Sequence, residues 1–339
     1  MKTLGIIIGS EDEPISRSYY NKNKSTLKVL EDYDIDIDYI PYDFAIFAEI
    51  KKQGEKKGLN VIPLFGNELT LKDCNNCDCI FSIFEGVYSF MAGGMDQYKK
   101  YMNILKKTNA KVFPSQKMQQ FIVDKHKYMK YLQDKKYNIP PTKFIDLSRT
   151  KTKSIMDFIN KNKLKNIIIK PELGAFKSGF KIIKNPTPKK VDTQLKRLQK
   201  KGYKRLLLQP FIEEFNKFGE IKTYWINGKN IYSYNQQWSP RTSDTSEGGI
   251  FKNQDKIDPD LLKECLNTGE KLIRDIFKDK EPLIQCRIDF ACCMDNDKRC
   301  REFFINEIEI CPTLGDNKYE KNGLPWKILA REVINYCNL

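Results

Sequence analysis

Histidine is almost absent from this chain, in which His126 is the only one among 339 residues. A metal site built from several histidines is therefore excluded, and a Ser-His-Asp or Cys-His mechanism would have to use this single residue. General acid–base chemistry must come from other groups.

Long apolar runs are absent as well. No segment approaches the roughly 20 apolar residues that a membrane-spanning helix needs, and the apolar residues 4–8 are followed at once by the acidic residues 11–13. This pattern is typical of a buried first strand and not of a signal peptide. We therefore expect a cytoplasmic protein without a membrane partner.

The P-loop pattern, a glycine followed after four residues by Gly-Lys-Ser or Gly-Lys-Thr, is also missing. A nucleotide site in this chain must therefore be of another kind. No internal repeat or low-complexity linker is present either. The length of 339 residues instead favours two or three subdomains that share a cleft.

Ten cysteines are present, but the chain is long and carries no export signal, so we expect reduced thiols and not a disulfide scaffold. Cys74 and Cys77 have a metal-like spacing, and Cys79 follows them. No second pair lies nearby and Cys79 opens an apolar run, which favours a loop and a strand start. A zinc site is the alternative.

The formal net charge is +15, which would suit a nucleic acid or another polyanion. Lysine dominates over arginine, however, and is spread along the chain, as expected for solvated faces. We therefore do not expect a nucleic-acid partner. An anionic nucleotide substrate would need only a local share of this charge.

We expect an α/β (α+β) fold in three units, namely residues 1–112, 113–205 and 206–339, of which the first shows alternating strand-like and helical stretches. In the first unit we expect strands at residues 3–9, 35–39 and 79–84. In the second, a helix is expected to begin at Ser115 and to continue up to Ile139.

Two strands of the third unit, residues 283–292 and 302–310, carry charged side chains. Because side chains alternate across a strand, Gln285, Arg287 and Asp289 are expected on one face. In the second strand, Glu307 and Glu309 share a face, opposite Asn306, Ile308 and Ile310.

If these two strands pair with their charged faces aligned, Asp289, Glu307 and Glu309 converge near Arg287. Clustered carboxylates repel unless cations neutralise them, and magnesium is a hard cation that takes oxygen ligands. The pattern therefore predicts a magnesium site. The alternative is a solvated sheet face with its acids turned outward.

Lys170 ends an apolar run and is followed by a loop that contains Gly174 and Gly179. A lysine between a buried strand and a glycine-containing loop is well placed to hold phosphate oxygens, together with backbone N–H groups. The alternative is a hairpin turn after a lysine whose apolar stem is buried and whose charge reaches water.

Six short pieces, taken in order, resemble the ATP-grasp superfamily, particularly its glutathione synthetase-like and ribosomal-protein glutamate ligase-like branches. They are Asp124-Lys125, Ile168-Ile169-Lys170-Pro171 with its loop, Leu208-Gln209-Pro210-Phe211-Ile212, Gly219-Glu220-Ile221-Lys222, Arg287-Ile288-Asp289-Phe290 and Asn306-Glu307-Ile308-Glu309. The resemblance covers residues 113–315 and implies a substrate-side domain followed by two subdomains that clasp ATP.

The resemblance also implies roles for single residues. The implied ATP-binding residues are Lys125, Lys170, Gly174, Ser178, Gly179, Gln209, Phe211, Ile212 and Glu220. The implied ligands of two magnesium ions are Asp289, Glu307 and Glu309, and the implied catalytic residues are Arg287, Lys170 and Lys222. Residues 174–179 would form a lid over the phosphates.

The implied activity is an ATP-dependent ligase that joins a carboxylate to an amine through an acyl phosphate, with small molecules or peptides as substrates. Relatives usually have asparagine in place of Glu309, followed by a proline-glycine pair where this chain has Cys311-Pro312-Thr313. Because this loop commonly contacts the acceptor, the identity of the acceptor substrate is left open. The alternatives are an ATP-grasp kinase that phosphorylates a polyanion such as an inositol phosphate, and a non-enzymatic polyanion-binding protein.

Overall fold

The computed structural model describes most of the chain. The described residues are 1–9, 14–33, 35–36, 38–174, 178–214, 218–237, 250–253, 257–277, 284–293, 302–312 and 323–338. They form three β-sheets with helices packed on them, which confirms the predicted α/β class. No helix among these residues is both long enough and apolar enough to cross a bilayer. The unit boundaries at residues 112 and 205 stay predictions.

The first sheet is parallel, with strand order β2-β1-β3-β4. Its unit consists of β1 (Thr3–Ile8), α1 (Arg17–Leu27), α2 (Tyr42–Glu55), β2 (Asn60–Phe65), α3 (Leu71–Asn75), β3 (Cys79–Ser82), α4 (Gly86–Lys107) and β4 (Lys111–Phe113). Strands of a parallel sheet are covered on both faces and read as continuous apolar runs, as in β1, where Leu4, Ile6, Ile7 and Ile8 are fully buried.

The predicted strand at residues 35–39 is wrong. Residues 35–36 and 38–39, the described part of this stretch, contain no strand, and β2 pairs with β1 instead. The stretch alternates isoleucine with aspartate, a pattern for a sheet with one wet face, whereas this sheet is covered on both. Pro63 in β2 is tolerated because β2 is an edge strand.

The second sheet is antiparallel, with strand order β5-β8-β6-β7. Its elements are α5 (Gln116–Val123), α6 (Lys125–Asp134), β5 (Lys143–Asp146), α7 (Thr152–Lys161), β6 (Asn166–Pro171), β7 (Lys181–Lys184), α8 (Pro188–Lys200) and β8 (Arg205–Pro210). The single helix predicted from Ser115 is broken at Asp124, whose ψ of 91° is not helical. The Asp124 side chain accepts a hydrogen bond from the Lys127 amide and caps α6, so Lys125 lies at the start of this helix.

The third sheet is also antiparallel, with strand order β11-β10-β9-β12-β13. Its elements are β9 (Glu220–Ile226), β10 (Lys229–Gln237), β11 (Ile250–Asn253), α9 (Pro259–Ile276), β12 (Gln285–Cys293), β13 (Glu302–Glu309) and α10 (Leu324–Asn338). Helix α10 returns to the first unit, where the ring of Trp326 meets that of Tyr19 edge-on with 4.4 Å between centroids. One apolar core therefore joins the two ends of the chain.

A β-bulge interrupts the pairing of β12 with β13. Asp289 is opposite Glu307, whereas the next residue, Phe290, is opposite Ile305, so Asn306 has no partner across the ladder. An extra residue in one strand ends the strict alternation of side chains at that point. The prediction that Asn306 and Glu307 point to opposite faces of the strand depends on this alternation.

Candidate active site

The three predicted metal ligands come together on β12 and β13. One carboxylate oxygen from each of Asp289, Glu307 and Glu309 lies within 4.8 Å of the others, and we call these residues the acid cluster. Asp289 is only 1% exposed, whereas both glutamates are half-buried. Three carboxylates at this spacing fit a hard divalent cation such as magnesium.

Each acid of the cluster has a basic partner. Arg287 donates from Nε to Asp289 Oδ1 at 2.7 Å and from Nη2 to Glu309 Oε1 at 2.6 Å. Lys222 Nζ lies 2.8 Å from Asp289 Oδ2, and Lys125 pairs with Glu307. The chain's own cations therefore supply the positive charge at this site.

The pKa values of the two glutamates are shifted in opposite directions. Burial opposes ionisation of Glu307, but the ammonium of Lys125 outweighs it and lowers the pKa of Glu307 to about 2. Burial raises the pKa of Glu309 to about 7, with the charge of Glu307 adding to the effect and Arg287 opposing it. The neighbouring cations therefore outweigh the effect of burial at Glu307 but not at Glu309.

Lys125 and Lys170 reach the acid cluster from the second sheet's unit. Lys125 extends from the start of α6 to Glu307, and Lys170, near the end of β6, donates to Asn306 Oδ1 at 2.9 Å. Burial lowers the pKa of Lys170 to about 8, and the charge of Lys125 adds to this shift. Two lysines beside three acids form an arrangement suited to a metal-bound polyphosphate.

Asn306 lies on the same side as Glu307, and the prediction of the opposite face is wrong. Its Oδ1 accepts from Lys170, and its Nδ2 donates to Glu220 Oε1 at 2.7 Å. The bulge is the physical reason, because it leaves two consecutive residues of β13 on the same side of the strand.

Behind the two lysines lies a second charged group, which we call the brace: Asp124, Glu172 and Arg205. Arg205 donates from Nε to Glu172 Oε2 at 2.6 Å and from Nη2 to Asp124 Oδ2 at 2.5 Å. The Lys125 amide also donates to the carbonyl oxygen of Glu172 at 2.9 Å. The brace thus fixes the start of α6, with Lys125, to the chain just after β6, with Lys170.

The residues expected around adenine and the phosphates lie at two places. Gln209, at the end of β8, is buried and donates to Thr142 Oγ1 at 2.9 Å, and the half-buried Phe211 and Ile212 follow it. At the expected lid, a side chain on Gly174 would meet the carbonyl oxygen of Ser178 at 2.9 Å, and Gly179 has a φ of 74°. Both glycines are therefore required by the local backbone. Residues 175–177 lie outside the described residues.

Known structures of ligases and synthetases match almost the whole chain. D-cycloserine synthetase DcsG matches with a TM-score of 0.66 at 13% identity, over 99% of this chain and 99% of its own. D-alanine–D-alanine ligase from Bacillus anthracis, solved with ATP, gives 0.64 at 11% identity, over 100% and 98%. A RimK domain protein of the ATP-grasp type from Sphaerobacter thermophilus gives 0.57 at 10% identity, over 98% of both chains.

The chain has the ATP-grasp fold. No protein-family model matches its sequence, and no curated protein matches it either. The fold that the six short sequence pieces implied is therefore confirmed, while the roles of the individual residues stay predictions.

Within the ATP-grasp fold, Glu85 is a residue that the sequence motifs did not assign. It follows β3 and occupies the N-cap position of α4, but its side chain does not cap that helix. Burial raises the pKa of Glu85, and the charge of Glu309 adds to this shift. This residue of the first unit is therefore close enough to the acid cluster to interact with it electrostatically. Nearby, Cys311 Sγ lies 3.2 Å from the carbonyl oxygen of Ser82. No spacing rule connects positions this far apart in sequence.

The cysteine and histidine candidates are not members of the acid cluster. Burial raises the pKa of Cys74 to about 12 and that of Cys77 to about 11, so both thiols keep their protons at neutral pH. In the part of the chain that the structure describes, the acid cluster is the one group of three or more suitable side chains close enough to hold a metal. His126 packs edge-on against the ring of Phe144, with centroids 5.0 Å apart.

Proposed function

We propose that the protein is an ATP- and magnesium-dependent ligase that joins a carboxylate to an amine through an acyl phosphate. The observation that carries this proposal is the meeting of the acid cluster with Lys125 and Lys170 in the ATP-grasp fold. The ligase and synthetase names of the matching structures support it.

In this proposal Lys125 and Lys170 hold the phosphates of ATP, and the backbone of Gly174, Ser178 and Gly179 contributes N–H donors. Gln209, Phe211 and Ile212 line the adenine pocket, and Glu220 binds the ribose hydroxyls. Asp289, Glu307 and Glu309 would hold magnesium, which when bound neutralises phosphate charge and thereby helps phosphoryl transfer.

The reaction needs a carboxylate to become an electrophile. The carboxylate attacks the γ-phosphorus of ATP, ADP leaves, and the amine then attacks the acyl phosphate to give an amide and inorganic phosphate. Arg287, with Lys222 beside it, would stabilise negative charge in the transition states. Exclusion of water would protect the acyl phosphate from hydrolysis.

A second candidate is an ATP-grasp kinase that transfers the same phosphoryl group to a hydroxyl of a polyanion such as an inositol phosphate. The net charge of +15 favours it, because a phosphorylated acceptor needs basic residues nearby. For the ligase we propose small-molecule or peptide substrates, and a cytoplasmic location stays a prediction.

The products formed from ATP separate these functions. ADP and inorganic phosphate are measured with magnesium and pooled amino acids, small peptides or inositol phosphates, for the wild type and for Glu307→Gln. Glu302→Gln is the matched control, since Glu302 is an exposed residue of the same strand.

Release of both products only with a carboxylate and an amine, reduced at least about a hundredfold in Glu307→Gln and unchanged in Glu302→Gln, is expected. ADP formed with an inositol phosphate and without free phosphate would identify the kinase. A protein that does not bind ATP at all would contradict both functions.

A further inference from the structure

Asn306 joins the two subdomain sheets at the centre of the site. Lys170, which donates to its Oδ1 at 2.9 Å, comes from the second sheet, whereas Glu220, which accepts from its Nδ2 at 2.7 Å, begins the strand β9 of the third sheet. One amide group therefore sets the separation of a cationic and an anionic side chain that come from different parts of the chain.

These two contacts require an amide at this position. The reversed amide would set an N–H donor against the Lys170 ammonium and an oxygen against the Glu220 carboxylate, so a single orientation satisfies both neighbours. Aspartate would keep the acceptor but lose the donor, and leucine of similar size offers neither group. Glu220 is only 4% exposed, so loss of its donor would leave a buried carboxylate with fewer partners.

The bulge makes this geometry possible. In a regular strand Asn306 and Glu307 would point to opposite faces, but the extra residue in β13 lets Glu307 pair with Lys125 while Asn306 reaches Lys170 and Glu220. Bulges are enriched beside active sites because they redirect a side chain in this way.

We propose that Asn306 is a positioning residue, which fixes the phosphate-binding Lys170 relative to the ribose-binding Glu220 so that both ends of ATP are held at a set separation. The inference rests on the proposed ATP site, but not on which substrates the enzyme joins. It predicts that Asn306 controls recognition of the ribose without touching the ribose itself.

Direct binding of ATP and of 2′-deoxy-ATP tests this role, because only ATP offers the 2′-hydroxyl, one of the two ribose hydroxyls that Glu220 would bind. The two dissociation constants are measured by calorimetry for the wild type, Asn306→Leu, Asn306→Asp and Glu220→Gln. Asn306→Asp nearly preserves size, so the test holds even if the leucine variant does not fold. Asn230→Leu is the matched control, since Asn230 lies at another irregularity of the same sheet, near the far end of β9.

We expect the wild type to prefer ATP, and Asn306→Leu to weaken ATP binding about tenfold, as the loss of hydrogen bonds to charged groups implies. The preference for ATP over 2′-deoxy-ATP should fall in both Asn306 variants to the level of Glu220→Gln and stay at the wild-type level in Asn230→Leu. A wild-type preference in a folded Asn306 variant would overturn the inference, as would an equal fall in Asn230→Leu.

Failure of the proposed function gives a different result. A wild type that binds ATP with this preference but makes no amide or phosphorylated product leaves the role of Asn306 standing and contradicts only the ligase and kinase proposals. A wild type that binds neither nucleotide overturns both.

Discussion

Asp124 and Lys125 are neighbours in sequence, yet Asp124 belongs to the brace and Lys125 pairs with the acid cluster. In the brace, Arg205 donates hydrogen bonds to the carboxylates of Asp124 and Glu172. The Lys127 amide donates to Asp124, and the Lys204 amide donates to Glu172. Lys125 faces the acid cluster, where the pKa of Glu307 is lowered to about 2 and that of Glu309 is raised to about 7.

The two groups differ in how far the chain itself satisfies their acidic side chains. Asp124 and Glu172 have side chains only 5% and 3% exposed, and donors of the chain itself satisfy both. In the acid cluster the chain's own cations leave Glu309 with a raised pKa, so additional positive charge would be favourable there. The brace is therefore satisfied by groups of the chain itself, whereas we propose that the acid cluster binds a cation together with ATP.

The largest effect is expected from breaking the brace. Arg205→Met leaves two buried carboxylates without their cation, and we expect a loss of about 3 kcal/mol in the free energy of unfolding, measured by urea denaturation. This figure is at the low end for buried pairs because the Arg205 side chain is 33% exposed.

The matched control is Arg274→Met, which removes an ion pair between Arg274 and Glu270 whose side chains are 66% and 56% exposed. We expect that change to cost about 0.5 kcal/mol or less. Equal losses in the two variants would contradict the structural role of the brace.

A smaller effect is expected from adding ligands to the acid cluster. Because Lys125 already pairs with Glu307, magnesium alone should stabilise the protein little. With ATP present, its phosphates give Lys125 and Lys170 another partner, and the acids become free for the metal. A ligand at about 100 times its dissociation constant stabilises by about 2.7 kcal/mol.

Denaturant unfolding with magnesium alone, ATP alone and both together measures this coupling. We expect the combined stabilisation to exceed the sum of the two separate effects in the wild type and in Glu302→Gln, and to be additive in Glu307→Gln. Additive stabilisation in the wild type would show that the ion pairs do not restrain metal binding.

The acid cluster was predictable from sequence because its residues lie on stretches of strand in which side chains alternate regularly. Glu307 and Glu309 share a face by alternation, and Asp289 and Arg287 do so on the partner strand. The same rule failed at Asn306, since nothing in the sequence marks a bulge there. The alternation at residues 35–39 also led to a wrong prediction, because the parallel sheet of the first unit is covered on both faces.

The brace was beyond the reach of sequence patterns. Arg205 and Asp124 are 81 positions apart, and no local periodicity relates them. The break at Asp124 was equally hidden, since the apolar spacing of the helix continues through it and the cap depends on a single aspartate. Motif order found the ATP-grasp fold, whereas contacts between distant elements required three-dimensional structure.

The smallest expected effect is a change in the protonation of Glu309 and of Lys170 when a ligand binds, with opposite signs for the two residues. The pKa of Glu309 is about 7 without a ligand, and a bound cation should lower it, so the carboxyl group loses a proton on binding. The pKa of Lys170 is about 8, and bound phosphate should raise it, so the amine gains a proton. Binding of magnesium-ATP should therefore release protons at about pH 6.5 and take them up at about pH 8.5.

Calorimetry in buffers of different ionisation enthalpy measures both signs, with magnesium-ATP formed before mixing. In Lys170→Arg the guanidinium stays charged throughout, so the uptake at the higher pH should vanish while the release at the lower pH persists. Release at both pH values, uptake at both, or uptake that survives in Lys170→Arg would contradict this prediction. It would show that the metal and the phosphate do not change the protonation of Glu309 and Lys170 independently. The contrast would then lie only between the acid cluster and the brace.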